Sequence, residues 1–411
     1  MKRKTLYVVV IVIASLVFVP ATSMAQRKEI SQAKEWLKKN QNLDKAQQSM
    51  EKLLKDSANR ENEKIWLLLF DAVKKQYEQV NERLYLKQKQ DTSQLFTHTL
   101  KMFQVLESMD SLDMQPNKKG EVKPKYRKEH AQYLNVLRPN LYNGGLFFIR
   151  KKDFAQAYRF LEAYIDCERQ PLFSAYNYNE KDKRLPAASY WAVYCGYKNH
   201  DTKATLRHTY LALKDTVHYN LMLQYLAETY LLEKDTARYV GSLEEGFRHS
   251  PKFPYFFPRL INYYSSTKQW DRALALTDSA LAIDPKSQVF LFARSSVLLN
   301  TGHYKECLAI CDTLFAMNDS LNGTYLNAGL AWFNRAVGVN KKYNTKKSDR
   351  EKMQSYYAKA LPYLEEYRKR CPNNQDEWAL PLYTIYLNLN KGKEFDEIDQ
   401  LIRNRNRQKT K

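Results

Sequence analysis

The sequence has 411 residues, of which 66 are Lys or Arg and 45 are Asp or Glu, so its formal net charge is +21. This length is enough for two ordinary domains, yet the chain holds only 11 glycines. So few glycines are typical of a helical protein, and the glycine-rich motifs GxxxxGKS/T, GxGxxG and GxSxG do not occur. The composition therefore disfavours enzymes that depend on phosphate-binding loops or nucleophile elbows.

Residues 1–25 have the layout of a secretory signal peptide. Basic residues 2–4 precede the apolar run 6–19, and Ser23-Met24-Ala25 forms a small-x-small cleavage site. An uncleaved anchor is the alternative, although the run is short for a membrane span. The first cysteine is Cys167, which disfavours lipid modification near the leader. We expect export to the periplasm or cell envelope, with no membrane-spanning segment after the leader is removed.

Farther along the chain, landmark residues recur at a spacing of 34. Pro285 follows Pro251 by 34 residues, and Tyr304 follows Trp270 by the same number. A fixed period of this length indicates stacked supersecondary units rather than one closed domain. Such architectures bind partners more often than they catalyse reactions.

One unit, residues 254–285, shows how each repeat is built. Its first helix is marked by apolar residues at i, i+3, i+4 and i+7, namely Phe257, Leu260, Ile261 and Tyr264. A polar turn follows, then a second apolar stripe that begins at Trp270 and stops at Asp284-Pro285, because proline cannot continue a helix. The unit is therefore predicted to be helix, short turn, helix.

This pattern resembles the tetratricopeptide repeat family over three consecutive units, 220–251, 254–285 and 288–319. The matching residues are Leu223, Leu226, Ala227, Tyr230, Leu243, Gly246, Pro251, Phe257, Leu260, Tyr264, Ala273, Ala280, Pro285, Leu291, Leu298, Gly302, Tyr304 and Leu308. Ile261, Thr277 and Cys311 depart from the family pattern. The resemblance implies an all-α, right-handed solenoid of antiparallel helix pairs and a non-enzymatic scaffold, here an exported bacterial member of the family.

Outside these units the period continues with interruptions, which predicts the following organisation. The predicted segments are a signal peptide at 1–25, a divergent helical region at 26–115, a basic linker at 116–130, a solenoid at 131–403 with insertions near 171–184 and 338–355, and a basic tail at 404–411. In the first insertion, Tyr176 and Tyr178 stand in a polar stretch and are candidates for contact with a partner.

The resemblance also implies a concave groove lined by the first helix of each pair, where a protein or peptide would bind. The candidate partner-binding residues are Gln224, Glu228, Tyr255, Arg259, Asn262, Ser266, Phe292, Ser296 and Asn300. Arg259 and Asn262 fit the pattern by which some family members hold a carboxylate, but Glu228 and Ser296 do not. No such clamp is predicted.

Basic residues crowd three stretches, 118–128, 341–352 and 403–411. They are either solvated loops and a frayed tail, or a surface that attracts anionic polysaccharide or lipid headgroups. The second interpretation gives an alternative function, a basic-surface binder. Export would separate the chain from nucleic acid, so no nucleic-acid partner is expected.

Reactive residues do not form a recognisable site. Cys307 and Cys311 are one helical turn apart and fall on a packed stripe, which favours small buried thiols over a metal or redox site. There is no CxxC or HExxH spacing among the five Cys and seven His, and no local pairing of a nucleophile with a base. We therefore predict no catalytic residue, no cofactor, no metal site and no disulfide framework.

Asp followed by Ser or Thr and then an aliphatic residue is unusually frequent. The triplet resembles the acceptor of a periplasmic O-glycosylation system of some Gram-negative bacteria, although such pairs also suit turns and helix starts. The candidate acceptors, which we expect on turns between helices, are Ser111, Thr216, Thr236 and Ser320.

Overall fold

The computed structural model describes residues 21–117, 119–340 and 346–409, and all regular secondary structure in these ranges is helical. Most of the predicted signal peptide, residues 1–20, lies outside the described residues, as do residues 341–345 of the second basic stretch and the last two residues of the tail. The chain divides into two units, 1–239 and 240–411, and each is described by itself.

Most helices of the first unit form consecutive pairs that pack against each other. The helices that begin in this unit are α1 (Ala21–Lys39), α2 (Leu43–Leu54), α3 (Glu63–Tyr85), α4 (Thr92–Asp113), α5 (Arg127–Arg150), α6 (Phe154–Asp166), α7 (Tyr178–Lys181), α8 (Leu185–Lys198), α9 (Thr202–Arg207), α10 (Thr209–Ala212), α11 (Tyr219–Leu232) and α12 (Thr236–His249). Two short 3-10 helices accompany them, Ser57–Asn59 and Pro171–Tyr176.

The second unit repeats the arrangement. Its helices are α13 (Phe256–Ser266), α14 (Trp270–Ile283), α15 (Gln288–Asn300), α16 (Tyr304–Met317), α17 (Asn322–Asn340), α18 (Lys347–Arg370), α19 (Gln375–Asn388) and α20 (Gly392–Lys409). We call the first helix of a pair helix A and the second helix B. The prediction of an all-α solenoid built of helix pairs is confirmed.

The sequence period is also the period of the helices B. Helices α12, α14 and α16 each contain 14 residues and begin at Thr236, Trp270 and Tyr304, so that successive starts are 34 residues apart. The inward face of each carries small or apolar residues, as Ala273 and Ala280 of α14 show with no exposed surface. The positions that carry the family resemblance are therefore packing positions.

The turn between helices A and B has one recurring backbone geometry. In six turns the residue two places before helix B has a positive φ: Lys152, His200, Lys234, Lys268, Gly302 and Asn390. In the same turns the next backbone N–H closes on a carbonyl five residues earlier, as Gln269 does on Tyr264 at 2.8 Å. This is the Schellman arrangement, which satisfies carbonyls at the end of helix A and turns the chain into helix B.

Aspartate side chains then begin several of the helices B. Asp153, Asp201 and Asp235 each accept a hydrogen bond from the backbone N–H three residues later, at 3.0 to 3.1 Å. Such a cap satisfies a backbone donor that has no partner within the helix. The repeated Asp-Thr pairs at 201 and 235 are thus explained as helix starts.

The insertion 171–184 is not uniformly polar and exposed, so the prediction that Tyr178 is available for contact with a partner is wrong. It folds into the 3-10 helix Pro171–Tyr176 and the short α7, and Leu172, Phe173 and Tyr178 are buried in the core of the first unit. Tyr178 therefore has a packing role, whereas Tyr176 remains partly exposed beside it.

Arg138 fixes this insertion to the helix pair α5 and α6. Its guanidinium lies between the rings of Tyr164 and Tyr178, 3.8 Å from each centroid. Nη1 donates to Asp182 at 2.6 Å, and the Tyr164 hydroxyl donates to the same carboxylate at 2.7 Å. Burial disfavours the charge of Asp182, but hydrogen bonds from Tyr164, the Arg184 backbone and Arg138 hold its pKa below the ordinary value. The buried cation and its counter-charge thus depend on each other.

Two other predicted boundaries differ from the helix bounds. Helix α5 begins at Arg127, inside the predicted linker 116–130, and its start is held by Asp113, which accepts backbone hydrogen bonds from residues 125–127. Helix α18 begins at Lys347, so much of the predicted insertion 338–355 lengthens helices. Among the residues that the structure describes, no helix is both long and apolar enough to cross a bilayer.

Helices α12 and α13 approach each other closely at Gly246. A Cβ atom added there would lie 2.3 Å from the ring of Phe256, which is buried, whereas one added at Gly241 of the same helix would meet no atom within 4 Å. We predict that Gly246→Ala lowers the unfolding free energy of the second unit by about 1–3 kcal/mol, because the ring must move.

Gly241→Ala is the matched control and should be neutral or stabilising by up to about 1 kcal/mol, because alanine has the higher helix propensity. Urea unfolding followed by circular dichroism measures both variants. Equal effects of the two substitutions would contradict the close approach of the helices.

The role of Arg138 predicts a second stability effect. Asp182→Asn keeps the shape of the side chain but leaves the buried guanidinium without its counter-charge, so we expect a loss of about 3–5 kcal/mol in the first unit. Glu180→Gln removes an exposed carboxylate from the same insertion and should change stability by less than about 0.5 kcal/mol. Urea midpoints that shift equally for both variants would show that Arg138 needs no counter-charge.

Candidate functional site

The predicted partner-binding residues fall in both units. Gln224 and Glu228 lie on α11 in the first unit, and the other seven lie on α13 and α15 or just before α13 in the second. The two sets are therefore described one at a time.

On α11, Glu228 is already engaged by its own chain. Its Oε1 accepts from Nε2 of Gln224 at 3.1 Å, and its Oε2 accepts a short hydrogen bond from the hydroxyl of Tyr197 on α8. Burial, with a further contribution from the hydrogen bond to Glu228, raises the pKa of Tyr197 to about 12. The carboxylate therefore joins α8 to α11, and Gln224 orients it.

On α13, Arg259 is an exposed cation with a fixed orientation. Its guanidinium carbon lies over the ring of Tyr255, 3.6 Å from the centroid, and Nη1 donates to the Tyr255 carbonyl at 3.2 Å. Tyr255 itself is buried and acts as the platform. Asn262 and Ser266 continue this exposed face of the helix, and the Ser266 hydroxyl donates to the Tyr263 carbonyl. The exposed polar groups here are Arg259, Asn262 and Ser266.

On α15, two of the three predicted residues join the helix to α17. The ring of Phe292 lies so close to Gly323 that a Cβ atom there would be 2.5 Å away. The Ser296 hydroxyl accepts from Nδ2 of Asn327 at 2.9 Å. Asn300 is exposed, and its Nδ2 donates to the Ser296 carbonyl at 2.8 Å. The side-chain oxygen of Asn300 takes no part in this hydrogen bond.

A cavity near the start of α13 and α15 was not predicted. It has a volume of about 270 Å³ and lies where Lys252 and Asp284 form an ion pair at 3.1 Å. Its lining consists of Pro251, Lys252, Phe253, Pro254, Phe257, Pro258, Asp284, Ser287, Val289 and Phe290. The signal in the sequence was the segment with Pro251 and Pro254 before α13, because two closely spaced prolines delay the start of a helix.

A group of titratable side chains lies between α4, α6 and α9 in the first unit. Arg207 contacts Glu162 at 2.6 Å and Asp166 at 3.1 Å. Burial, and secondarily the charge of Asp166, raises the pKa of Glu107 to about 7. His208 is buried, and this burial lowers its pKa to about 4. Arg207 is half exposed, so the group lies at the edge of the helix packing, with His208 on its buried side.

Cys307 and Cys311 are buried on α16, which confirms their prediction as small packed thiols. Over the described part of the chain, no group of three or more His, Cys, Asp or Glu side chains is arranged to hold a metal ion.

The candidate glycosylation residues are all exposed, but two of them are not on turns. Ser111 lies in the last turn of α4, and Thr236 is the first residue of α12, so the prediction of their location is wrong. Thr216 and Ser320 do lie in turns between helices. In three triplets the aspartate side chain has a structural partner: Asp110 pairs with Arg127, Asp215 contacts His218, and Asp235 caps α12. Glycosylation stays a prediction.

Comparisons with known proteins add little to this description. No family model and no curated protein matches the sequence. Among solved structures, the TPR domain of P58(IPK) aligns with 92% of this chain and 99% of its own, at 11% identity and a TM-score of 0.26. A circular tandem repeat protein with a novel repeat topology aligns with 92% of this chain and 87% of its own, at 10% identity and the same TM-score. Similarity at this level is too low to show a common fold, so the fold is assigned from the helix pairs of the chain itself.

The raised pKa of Glu107 predicts a pH dependence of stability. Its pKa is about 7 in the folded chain and near 4.5 otherwise, so the folded state binds this proton more tightly. The stability it contributes is present at low pH and is lost as the pH rises toward 7. We expect the melting temperature of Glu107→Gln, relative to the parent, to rise between pH 5 and pH 8.

Asp91→Asn is the control, because hydrogen bonds to Ser93 hold the pKa of Asp91 below its ordinary value of 3.8. Its difference from the parent should stay constant over the same pH range. A Glu107→Gln difference that does not change with pH would refute the raised pKa.

Proposed function

We propose that this chain is an exported, non-enzymatic repeat scaffold that binds a protein or peptide on the helix A faces of residues 220–319. The observation that carries the proposal is the exposed polar row on α13 and α15, formed by Arg259, Asn262, Ser266 and Asn300 above a buried apolar stack.

The chemistry of this row suits a polypeptide. Asn262 and Asn300 each offer an amide donor and a carbonyl acceptor, the same pair that a peptide backbone presents. Arg259 offers a planar set of donors, and its stacking on Tyr255 at 3.6 Å fixes the plane before a partner arrives. A side chain that is already ordered loses less conformational entropy on binding.

Export is supported by the sequence of residues 1–25, with its basic start, apolar run and small-x-small site. The periplasm or cell envelope is accordingly the proposed location. The partner is then another protein of that compartment, and the partner's identity is what the following experiment measures.

The triple variant Arg259→Ala, Asn262→Ala, Asn300→Ala tests the proposal. The protein is used as bait on the envelope fraction of its host, and captured proteins are identified by mass spectrometry. We expect a partner captured by the parent to be lost, or reduced at least tenfold, with the triple variant. Phe292 is left unchanged because its ring contacts the backbone of α17 at Gly323.

The matched control is Lys305→Ala, Ser279→Ala, Thr313→Ala, which removes one positive charge and two polar groups from exposed positions on helices B. It should retain the partner. Retention by both triple variants would refute binding at helix A. If capture instead falls steeply for the parent as salt is raised, the alternative function, attraction to an anionic polysaccharide or lipid surface, is favoured.

A further inference from the structure

A cleft of about 720 Å³ lies in the first unit between the start of α5 and the 3-10 helix Pro171–Tyr176. One wall is formed by residues of the segment 124–136 and the other by residues of the segment 172–176. The cleft unites two features that the sequence presented separately, the basic stretch 118–128 and the insertion 171–184. Its size is that of an ordinary ligand site.

The charge of the lining has one sign. Three of the lining residues are cations and none is an acid. Arg127 is neutralised by a bidentate pair with Asp110, at 2.7 and 2.6 Å. Lys125 is only loosely paired, with its Nζ 3.5 Å from Glu63, and Lys128 is exposed with no ion-pair partner among the described residues. The two lysines therefore leave an unbalanced positive charge at this edge.

The other walls are apolar and braced. Val136 is 72% exposed, although it lies on a helix whose opposite face is core. Tyr176 stacks on Tyr178 with ring centroids 5.6 Å apart, and Tyr178 in turn lies 3.8 Å from the guanidinium of Arg138. Tyr176 is thus the outer member of a stack that begins in the core. Its ring is already held in place, so it loses little conformational entropy when an occupant binds.

Hydrogen-bonding groups are placed within this apolar lining. The Tyr178 hydroxyl donates to Oδ1 of Asn135 at 2.7 Å, so the amide nitrogen is the end of Asn135 left for an occupant. Gln132 and Ser174 add further donors and acceptors. An acyl chain has no group that could pair with them, whereas a peptide backbone has one of each kind at nearly every residue.

The cleft also continues past α5. A second cavity of about 460 Å³ shares Gln132 and Val136 with it and extends to Lys74 and Tyr133, where Lys74 lies 4.9 Å from the centroid of the Tyr133 ring. The second cavity has the acids Asp71 and Glu129 beside Lys74, so only the first cavity has a lining without acidic residues. An elongated occupant with its acidic end in the first cavity fits this pair.

We propose that the cleft binds an acidic, extended peptide segment of a partner protein, with one apolar side chain against Leu172, Ala131 and Tyr176. Its carboxylates would lie against Lys125 and Lys128, and its backbone against Asn135 and Gln132. This site lies in the first unit and uses none of the residues of the proposed helix A surface on α13 and α15. Failure of either proposal therefore leaves the other standing.

The test uses fluorescence polarisation with the purified protein expressed from the full sequence. The probes are labelled decapeptides with blocked ends that contain one Phe flanked by glutamates. Saturable binding is expected, with at least a tenfold loss when the glutamates become Gln or when Phe becomes Ser. Lys128→Glu should weaken binding at least tenfold, and Ala175→Trp, which fills the cleft without changing charge, should abolish it.

The matched control is Lys119→Glu, an equal charge reversal at an exposed lysine of the same basic stretch that does not line the cleft. It should change affinity less than twofold. Equal losses for Lys119→Glu and Lys128→Glu would overturn the proposal in favour of diffuse charge attraction. Unchanged binding by a folded Ala175→Trp protein, as judged by circular dichroism, would place the peptide elsewhere.

Phosphatidylglycerol vesicles are the second probe. If they bind and the peptides do not, and Ala175→Trp removes vesicle binding, the occupant is a lipid and the proposal is wrong. If no peptide binds up to 1 mM, on the order of the weakest useful affinities, the proposal is also wrong.

Discussion

A single amphipathic helix pair cannot bury its apolar face, and this constraint shapes the whole chain. Each pair must lay one face against its neighbour, so the positions at the contact are restricted in size. Gly246 against Phe256 and the fully buried Ala273 show the restriction at atomic scale. The exposed faces carry no such requirement, and they are where binding residues are free to differ from one pair to the next.

The repeat could be predicted from the sequence because packing restricts residue type at fixed spacings. Helices α14 and α16 begin at the landmarks Trp270 and Tyr304, and α12 ends at His249, two residues before the landmark Pro251. The left-handed turns could not be predicted, because most are made by residues such as Lys268 or His200 rather than glycine. The burial of Leu172 and Phe173 was also missed, since adjacent apolar residues in a 3-10 helix match neither helical nor strand periodicity.

For the candidate site, the sequence predicted which helix face carries the candidate residues, but not which of those side chains are free of contacts within the chain. Tyr255, Glu228 and Phe292 occupy the expected register, yet their contacts are with their own chain. Whether a residue on a helical stripe is exposed depends on the particular side chains of the neighbouring helix. The repeat pattern describes only what the units have in common, so it does not contain this information. The cleft beside α5 was out of reach for a related reason: Lys128 and Tyr176 are 48 positions apart in the sequence, and only the fold brings them together.

The Arg138 stack also has a consequence for biosynthesis. Most helices pack against the next one along the chain, so the unit can assemble in the order in which it is made. Arg138 is an exception, because its counter-charge Asp182 is 44 residues farther on. Until that residue emerges, closing α5 against α6 would enclose an unpaired guanidinium, which is costly. We therefore expect α5 and α6 to reach their final packing only once Asp182 is in place, so that the insertion completes the first unit.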